Sequence, residues 1–254
     1  MADDEEEKRA ARFEPLIQTT KTLTISGGSK QDEELTLVLP PVLRYSDAVS
    51  SDALPAIPDG AVFVWTRKGQ PEAVTSMHLT PTGNIWAEFL SLSPHPLIAE
   101  RKAQTIWSPN KSAAEYLPIS SAPAPSKTAA FRLTQMRSIL KSFSASISDQ
   151  SAGRQELRLL PQPIFRFSQQ EKGIIDGAIF AFVRSTNPEM LVILEARTDK
   201  EKEQWVYSSI RYSGRQCEMR CADERVWSHE QKFHNDAAGS FYTTRIQIKP
   251  EVPN

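Results

Sequence analysis

Leu35, Leu37, Leu39, Leu43 and Tyr45 share one parity along the chain, and Thr36 and Arg44 fall on the other. A period of two predicts strands with one buried face. The alternation returns at Leu157, Leu159, Phe165 and Phe167, with Arg158 and Arg166 opposite. Pro40, Pro41, Pro161 and Pro163 cannot donate to a ladder, so they predict an edge, bend or bulge. Two continuous apolar runs, 61–65 and 178–183, follow Asp59-Gly60 and Asp176-Gly177. Each pair predicts a turn and then a buried central strand. Gly69-Gln70-Pro71 and Thr186-Asn187-Pro188 predict turns into further strands over 73–79 and 190–196. Strands around Trp86 and Trp205, then strands ending at Trp107 and Trp227, complete each series. The short connections imply antiparallel pairing.

Helical periodicity is confined to two places. Leu133, Met136, Ile139, Leu140 and Phe143 recur by threes and fours, which predicts a helix over 127–141 with Ser126 as its N-cap. Residues 4–13 carry acids first and bases later, which suits a helix dipole, and Pro15 is expected to end that helix early.

The two series align. ELTLVLPPVLRYS (34–46) matches ELRLLPQPIFRFS (156–168) at six of thirteen positions, and IPDGAVFVWTRKGQPEAV (57–74) matches IIDGAIFAFVRSTNPEML (174–191) at eight of eighteen. Trp86 with Trp205 and Trp107-Ser108 with Trp227-Ser228 follow in the same order. Self-similarity at this spacing predicts an internal duplication. The expected fold is α+β: two tandem similar modules, 1–116 and 127–254, each an antiparallel β-meander of about five or six strands with one N-terminal helix. The Pro/Ala/Ser run over 117–126 is the expected semi-rigid linker.

The pattern LRLLPQPIFRF, then DGAIFAFV, then NPEMLVILEAR, then a tryptophan strand resembles a family of uncharacterised bacterial proteins. Its members are similar in a GAVFVWT-like strand, an APAP-like linker, an RLTQMR-like helix and an FYTTR-like segment, here 241–245. The resemblance covers nearly the whole chain and implies a duplicated β-rich module; it implies no activity. Members of that family usually begin with a secretory leader. The acidic start of this chain, Met1 to Glu7, has neither the basic residues nor the apolar stretch of one. As written the chain reads as cytoplasmic, or extracytoplasmic if a leader was removed.

Charge narrows the function classes. With 30 basic and 31 acidic residues, no surplus of positive charge is available for phosphates, and nucleic acid is not an expected partner. No apolar run approaches the ~20 residues of a membrane-spanning helix. The charged residues that recur in both halves are Glu34/Glu156, Arg44/Arg166, Asp59/Asp176, Arg67/Arg184 and Glu72/Glu189. They read as turn residues and cross-strand ion pairs before they read as two active sites.

Two constellations carry chemistry. Cys217-x3-Cys221-x7-His229-x4-His234 has metal-type ligands and paired spacings that suit zinc, so a zinc-stabilised C-terminal module is one reading. Against it, Cys217, Met219 and Cys221 alternate as core residues would, and the first half has Leu97 and Arg101 at the matching places. His78, on a strand facing Glu88 on its neighbour, would make an acid–base pair for an enzyme of unknown class, with hydrolysis one option. The reading preferred over both is a non-catalytic binding or protein-interaction protein, with no cofactor. Its expected protein or small-molecule ligand lies in the cleft between the modules.

Overall fold

The apolar runs at 61–65 and 178–183 lack alternation because the strands that hold them are covered on both faces. The computed structural model describes residues 2–27, 33–47, 56–149, 153–199, 202–232 and 235–247. Helix α1 (Ala2–Lys21) leads into β1 (Leu23–Gly27), β2 (Thr36–Leu37), β3 (Leu43–Asp47), β4 (Ile57–Arg67), β5 (Gln70–Leu79), β6 (Ile85–Ser91), β7 (Leu97–Arg101) and β8 (Gln104–Trp107). A two-residue strand, β9 (Leu117–Pro118), precedes helix α2 (Ala129–Leu140). Then come β10 (Phe143–Asp149), β11 (Gly153–Leu159), β12 (Phe165–Gln169), β13 (Ile174–Arg184), β14 (Asn187–Asp199), β15 (Lys202–Arg211), β16 (Gln216–Cys221), β17 (Glu224–His229) and β18 (Phe241–Ile246).

The expected pair of α+β meanders is not what the chain forms. The structure is mostly β, with 56% strand and 13% helix, in sheets of three, six and nine strands that include a curled half-barrel. The nine-stranded sheet runs β17-β16-β10-β11-β13-β14-β15-β9, with β12 also on β13; the six-stranded sheet runs β18-β6-β5-β4-β2, with β3 also on β4; the third is β1-β7-β8. A meander would pair each strand with the next. Here β7 and β16 return to pair with the first strand of their series, β1 and β10. The last strands, β9 and β18, pair outside their own series. Alternation in a sequence sets which face a side chain takes; it carries no record of which strand lies alongside.

Three apolar clusters lie between the layers. The first gathers Phe13 and Leu16 of α1 with Phe63, Trp65, Met77, Ile85, Phe89 and Trp107. The second gathers Met136 and Leu140 of α2 with Phe180, Phe182, Val192, Leu194, Trp205, Cys217 and Met219. The third joins the halves, with Val62, Val64, Val74 and Leu90 on one side and Ile179, Ala181, Leu191 and Ile210 on the other. Along β4 and β13, odd and even residues thus serve different cores. The junction expected to be a cleft is, along this cluster, a packed apolar layer.

Both helices depart from their expected bounds. Pro15 does not end α1, which runs through it to Lys21. The backbone bond lost at Pro15 is outweighed by the burial of Phe13 and Leu16 on either side of it. Helix α2 is capped by Thr128, whose hydroxyl accepts from Phe131 N at 3.4 Å, rather than by Ser126. The Ser126 carbonyl instead accepts from Arg132 Nη1 at 2.9 Å.

Asp59-Gly60 and Asp176-Gly177 are not turns; both lie inside strands, β4 and β13. Each glycine stands directly opposite an aromatic residue, Tyr45 on Gly60 and Phe167 on Gly177. A Cβ on Gly60 would sit 2.2 Å from the Tyr45 ring, and one on Gly177 would sit 2.5 Å from the Phe167 ring. The glycine is there so the ring can lie flat on the strand. Each aspartate ties a helix to its sheet. Arg12 Nε lies 2.5 Å from Asp59, and Arg132 Nε lies 2.8 Å from Asp176, which also binds Arg166.

Candidate functional site

Most recurring charges are used in such ties. Arg67 pairs with Glu72 at 3.2 Å and Arg184 with Glu189 at 3.6 Å, each across its own hairpin. Glu156 pairs with Arg154 at 2.9 Å. The Arg44 guanidinium lies 3.7 Å over the Phe13 ring. These contacts fit the structural reading of those residues.

The polar groups left over gather at one end of the junction between the sheets. On β5, Ser76 and His78 point away from α1, and on β6 so do Trp86 and Glu88, because residues of the opposite parity fill the first core. Register places Ser76 opposite Glu88 and His78 opposite Trp86, so His78 and Glu88 are diagonal neighbours on one face. They share a face but do not stand directly opposite each other, and the groups between them are hydroxyls. Tyr45 Oη lies 2.7 Å from Ser76 Oγ and 3.4 Å from His78 Nδ1, and Ser76 and Trp86 both face the Glu88 carboxyl. The second half supplies Tyr212. It is buried, and its hydroxyl faces Ser76. Ser76, Glu88 and Tyr45 are its polar neighbours, and the Ser76 hydroxyl is already engaged by Tyr45.

Burial sets the protonation of this cluster. It pushes the Glu88 carboxyl up to about 8, helped by the nearby Glu189 and opposed by Ser76, Trp86 and Arg215. It pushes the His78 imidazole down to about 4. The phenols of Tyr45 and Tyr212 are raised above their ordinary range for the same reason, with Glu88 adding to the rise. Glu88 and His78 are half-buried by accessible surface, and at neutral pH these shifts favour a carboxylic acid, a neutral imidazole and two phenols. Beside it, Glu189 is held by Arg215 Nη1 at 3.0 Å, and Arg184 Nε reaches across from the second half to Asp47 at 2.9 Å.

The matching place in the second half is built differently. Strand register sets Phe167, Ile193, Glu195 and Ser208 where the first half has Tyr45, Ser76, His78 and Glu88. Glu195 accepts from Tyr116 Oη at 2.9 Å and pairs with Arg197, so its charge is met. The positions at which the aligned halves differ in polarity, Tyr45/Phe167 and Ser76/Ile193, were the sequence signal for this site. Tyr212 and Trp86 carried no such signal. Trp86 was aligned with Trp205, but register places Trp205 level with Ile85. That one-residue slip puts Trp205 in the core under α2, and Trp86 on the face toward the other half with Arg245 over its ring at 5.7 Å.

Among the described residues, Cys217, Cys221 and His229 form no metal-holding group. Cys217 and His229 are opposite each other on β16 and β17. The Cys217 thiol, however, is buried in the second core and pushed up to about 12 by desolvation, so the thiolate that a metal requires is disfavoured. The His229 ring nitrogens lie 3.1 and 3.3 Å from Arg211 Nη1, a cation. Cys221 is half-buried at the far end of β16, and His234 lies outside the described residues. Among the described residues no group of three or more His, Cys, Asp or Glu side chains could hold a metal. Nor is any described helix long and apolar enough to cross a membrane.

No family model, curated protein or solved structure matches this chain.

Proposed function

We propose that this chain is a non-catalytic binding protein whose recognition site is the cluster of Tyr45, Ser76, His78, Glu88 and Tyr212. The observation that carries the reading is the meeting of polar side chains from both halves at the junction, Tyr212 with Ser76, Tyr45 and Glu88, where the equivalent place in the second half has Phe167 and Ile193. Polar groups drawn together away from water cost free energy unless they are hydrogen-bonded, so a cluster that the equivalent place does without argues for a ligand that uses it. With Glu88 protonated and His78 neutral, the cluster offers donors without net charge. It suits an uncharged group bearing a carbonyl or hydroxyl oxygen. Native mass spectrometry of the untagged protein, beside Tyr212→Phe, tests this. The expected result is a mass excess on the wild type that Tyr212→Phe loses while remaining folded by circular dichroism. A bare wild type, or an excess that Tyr212→Phe retains, overturns the reading.

The opposed shifts of His78 and Glu88 favour a second reading, an enzyme. At pH 7 Glu88 holds a proton to give and His78 has a lone pair to receive one, the complementary states general acid–base catalysis needs. Recovering the bound molecule chemically altered from the wild type, but intact from His78→Gln, selects this reading over the first.

The same proposal treats the halves as the products of an internal duplication, as the family resemblance implies. Matched registers support it: Tyr45 on Gly60 and Leu37 on Trp65 recur as Phe167 on Gly177 and Leu159 on Phe182.

A further inference from the structure

The terminal strand of each half completes the sheet of the other. Beyond β8 the chain crosses to the second half, where β9 pairs with the outer side of β15, Leu117 with Tyr207 and Pro118 with Val206. Beyond β17 it crosses back, and β18 pairs with the outer side of β6 from Phe241–Leu90 to Ile246–Ile85. Register makes β6 and β15 equivalent strands, since each is the partner of the second strand of the same hairpin. The exchange is therefore reciprocal.

The rest of the junction has the same symmetry. The end of β3 docks on the β13–β14 turn, where Ser46 N donates to Thr186 Oγ1 at 2.7 Å and Arg184 holds Asp47. The equivalent segment after β12 docks on the β4–β5 turn, where Lys172 Nζ donates to Gln70 Oε1 at 2.7 Å. The apolar layer draws on equivalent positions from both sides: Val62 and Ile179, Val64 and Ala181, Val74 and Leu191. An interface in which each side presents the same patch is the mark of a two-fold pair.

We infer that the junction is an isologous docking surface, and that the two halves are a strand-exchanged two-fold pair joined into one chain. The partner that this surface recognises is another half of the same kind. Neither half has a finished sheet without the other, so 1–118, which includes β9 at the start of the linker, and 127–254 are not independent folding units. The inference rests on strand pairing and stands apart from the ligand reading of the Tyr212 cluster.

The test uses the full chain with a protease site placed within 121–125 and cut after folding. The nicked protein is expected to keep the 28.5 kDa native mass of the intact chain and to unfold in one transition. Two separately folded fragments overturn the inference. Two cysteine pairs then read the exchange directly, Thr244→Cys with Ala87→Cys and Pro118→Cys with Val206→Cys. Directly opposed strand residues lie within disulfide reach. Either pair, after oxidation and nicking, is expected to hold the fragments together on a denaturing non-reducing gel. Fragments that run apart for both pairs, from protein still folded by circular dichroism, overturn it. A pair that disturbs folding leaves the other to decide.

Discussion

Replacing Glu88 by Gln keeps the shape of a neutral side chain and removes its titration. In the fold the carboxyl holds its proton up to about pH 8, whereas its ordinary value is 4.5. Between those values the folded state binds one more proton than the unfolded state, so stability falls as pH rises. The slope is about 1.4 kcal/mol per pH unit, which sums to about 3 kcal/mol lost by pH 7 and about 5 kcal/mol by pH 8. Glu88→Gln does not undergo this loss. Its stability relative to the wild type is expected to be level below pH 4.5, to climb through neutral pH, and to plateau above pH 8. At pH 7 the gain corresponds to roughly 6–12 °C in thermal midpoint for a chain of this size. Urea denaturation of both proteins at half-unit steps from pH 4 to 9 gives the difference curve. The comparison cancels Glu195, whose carboxyl burial also raises. A flat difference curve between pH 5 and 8 refutes the claim that Glu88 is held protonated, and with it the uncharged character of the site.

Three further outcomes follow from the same structure. His78→Gln should show the opposite limb: the wild type loses about 3 kcal/mol as pH falls from 6.5 to 4, because the folded imidazole resists the proton the unfolded chain accepts, and the variant does not. The same urea series measures it, and in the wild type the two limbs oppose each other between pH 4.5 and 6.5. Arg132→Met leaves the buried Asp176 with Arg166 alone as its cation and should cost about 1.5–3 kcal/mol, read as a lower urea midpoint with an unchanged slope. In the native protein at pH 8 a thiol-reactive disulfide reagent should modify Cys221 quickly and Cys217 only at the rate of unfolding, whereas fast reaction at both would contradict the burial of Cys217 in the second core.

What the sequence disclosed follows from how local each feature is. The strands at 61–65 and 178–183 could be read because burial on both faces leaves an uninterrupted apolar run. The Gly69-Gln70-Pro71 turn could be read because Lys68 and Gly69 both need positive φ and glycine advertises it. The β7–β8 and β16–β17 hairpins make the same kind of turn with Lys102-Ala103 and Ala222-Asp223, also at positive φ, and only Asp223 among these is a usual residue there. Their conformation is imposed by the pairing of the flanking strands. Without that signal those hairpins could not be seen folding back onto β1 and β10, and a meander was the simplest order left. The His78–Glu88 face was legible from parity alone. Tyr45 left only the polarity difference from Phe167, and Tyr212 left none, since it reaches Ser76 from outside the β5–β6 hairpin and comes from the other half. A site assembled from both halves depends on contacts far apart in the chain, and a pattern read along one strand at a time cannot register them. The same dependence ties the site to the junction. If the halves part when the linker is cut, Tyr212 leaves the cluster and Glu88 regains water. The pH limb of Glu88 should then vanish from the nicked protein along with its native mass.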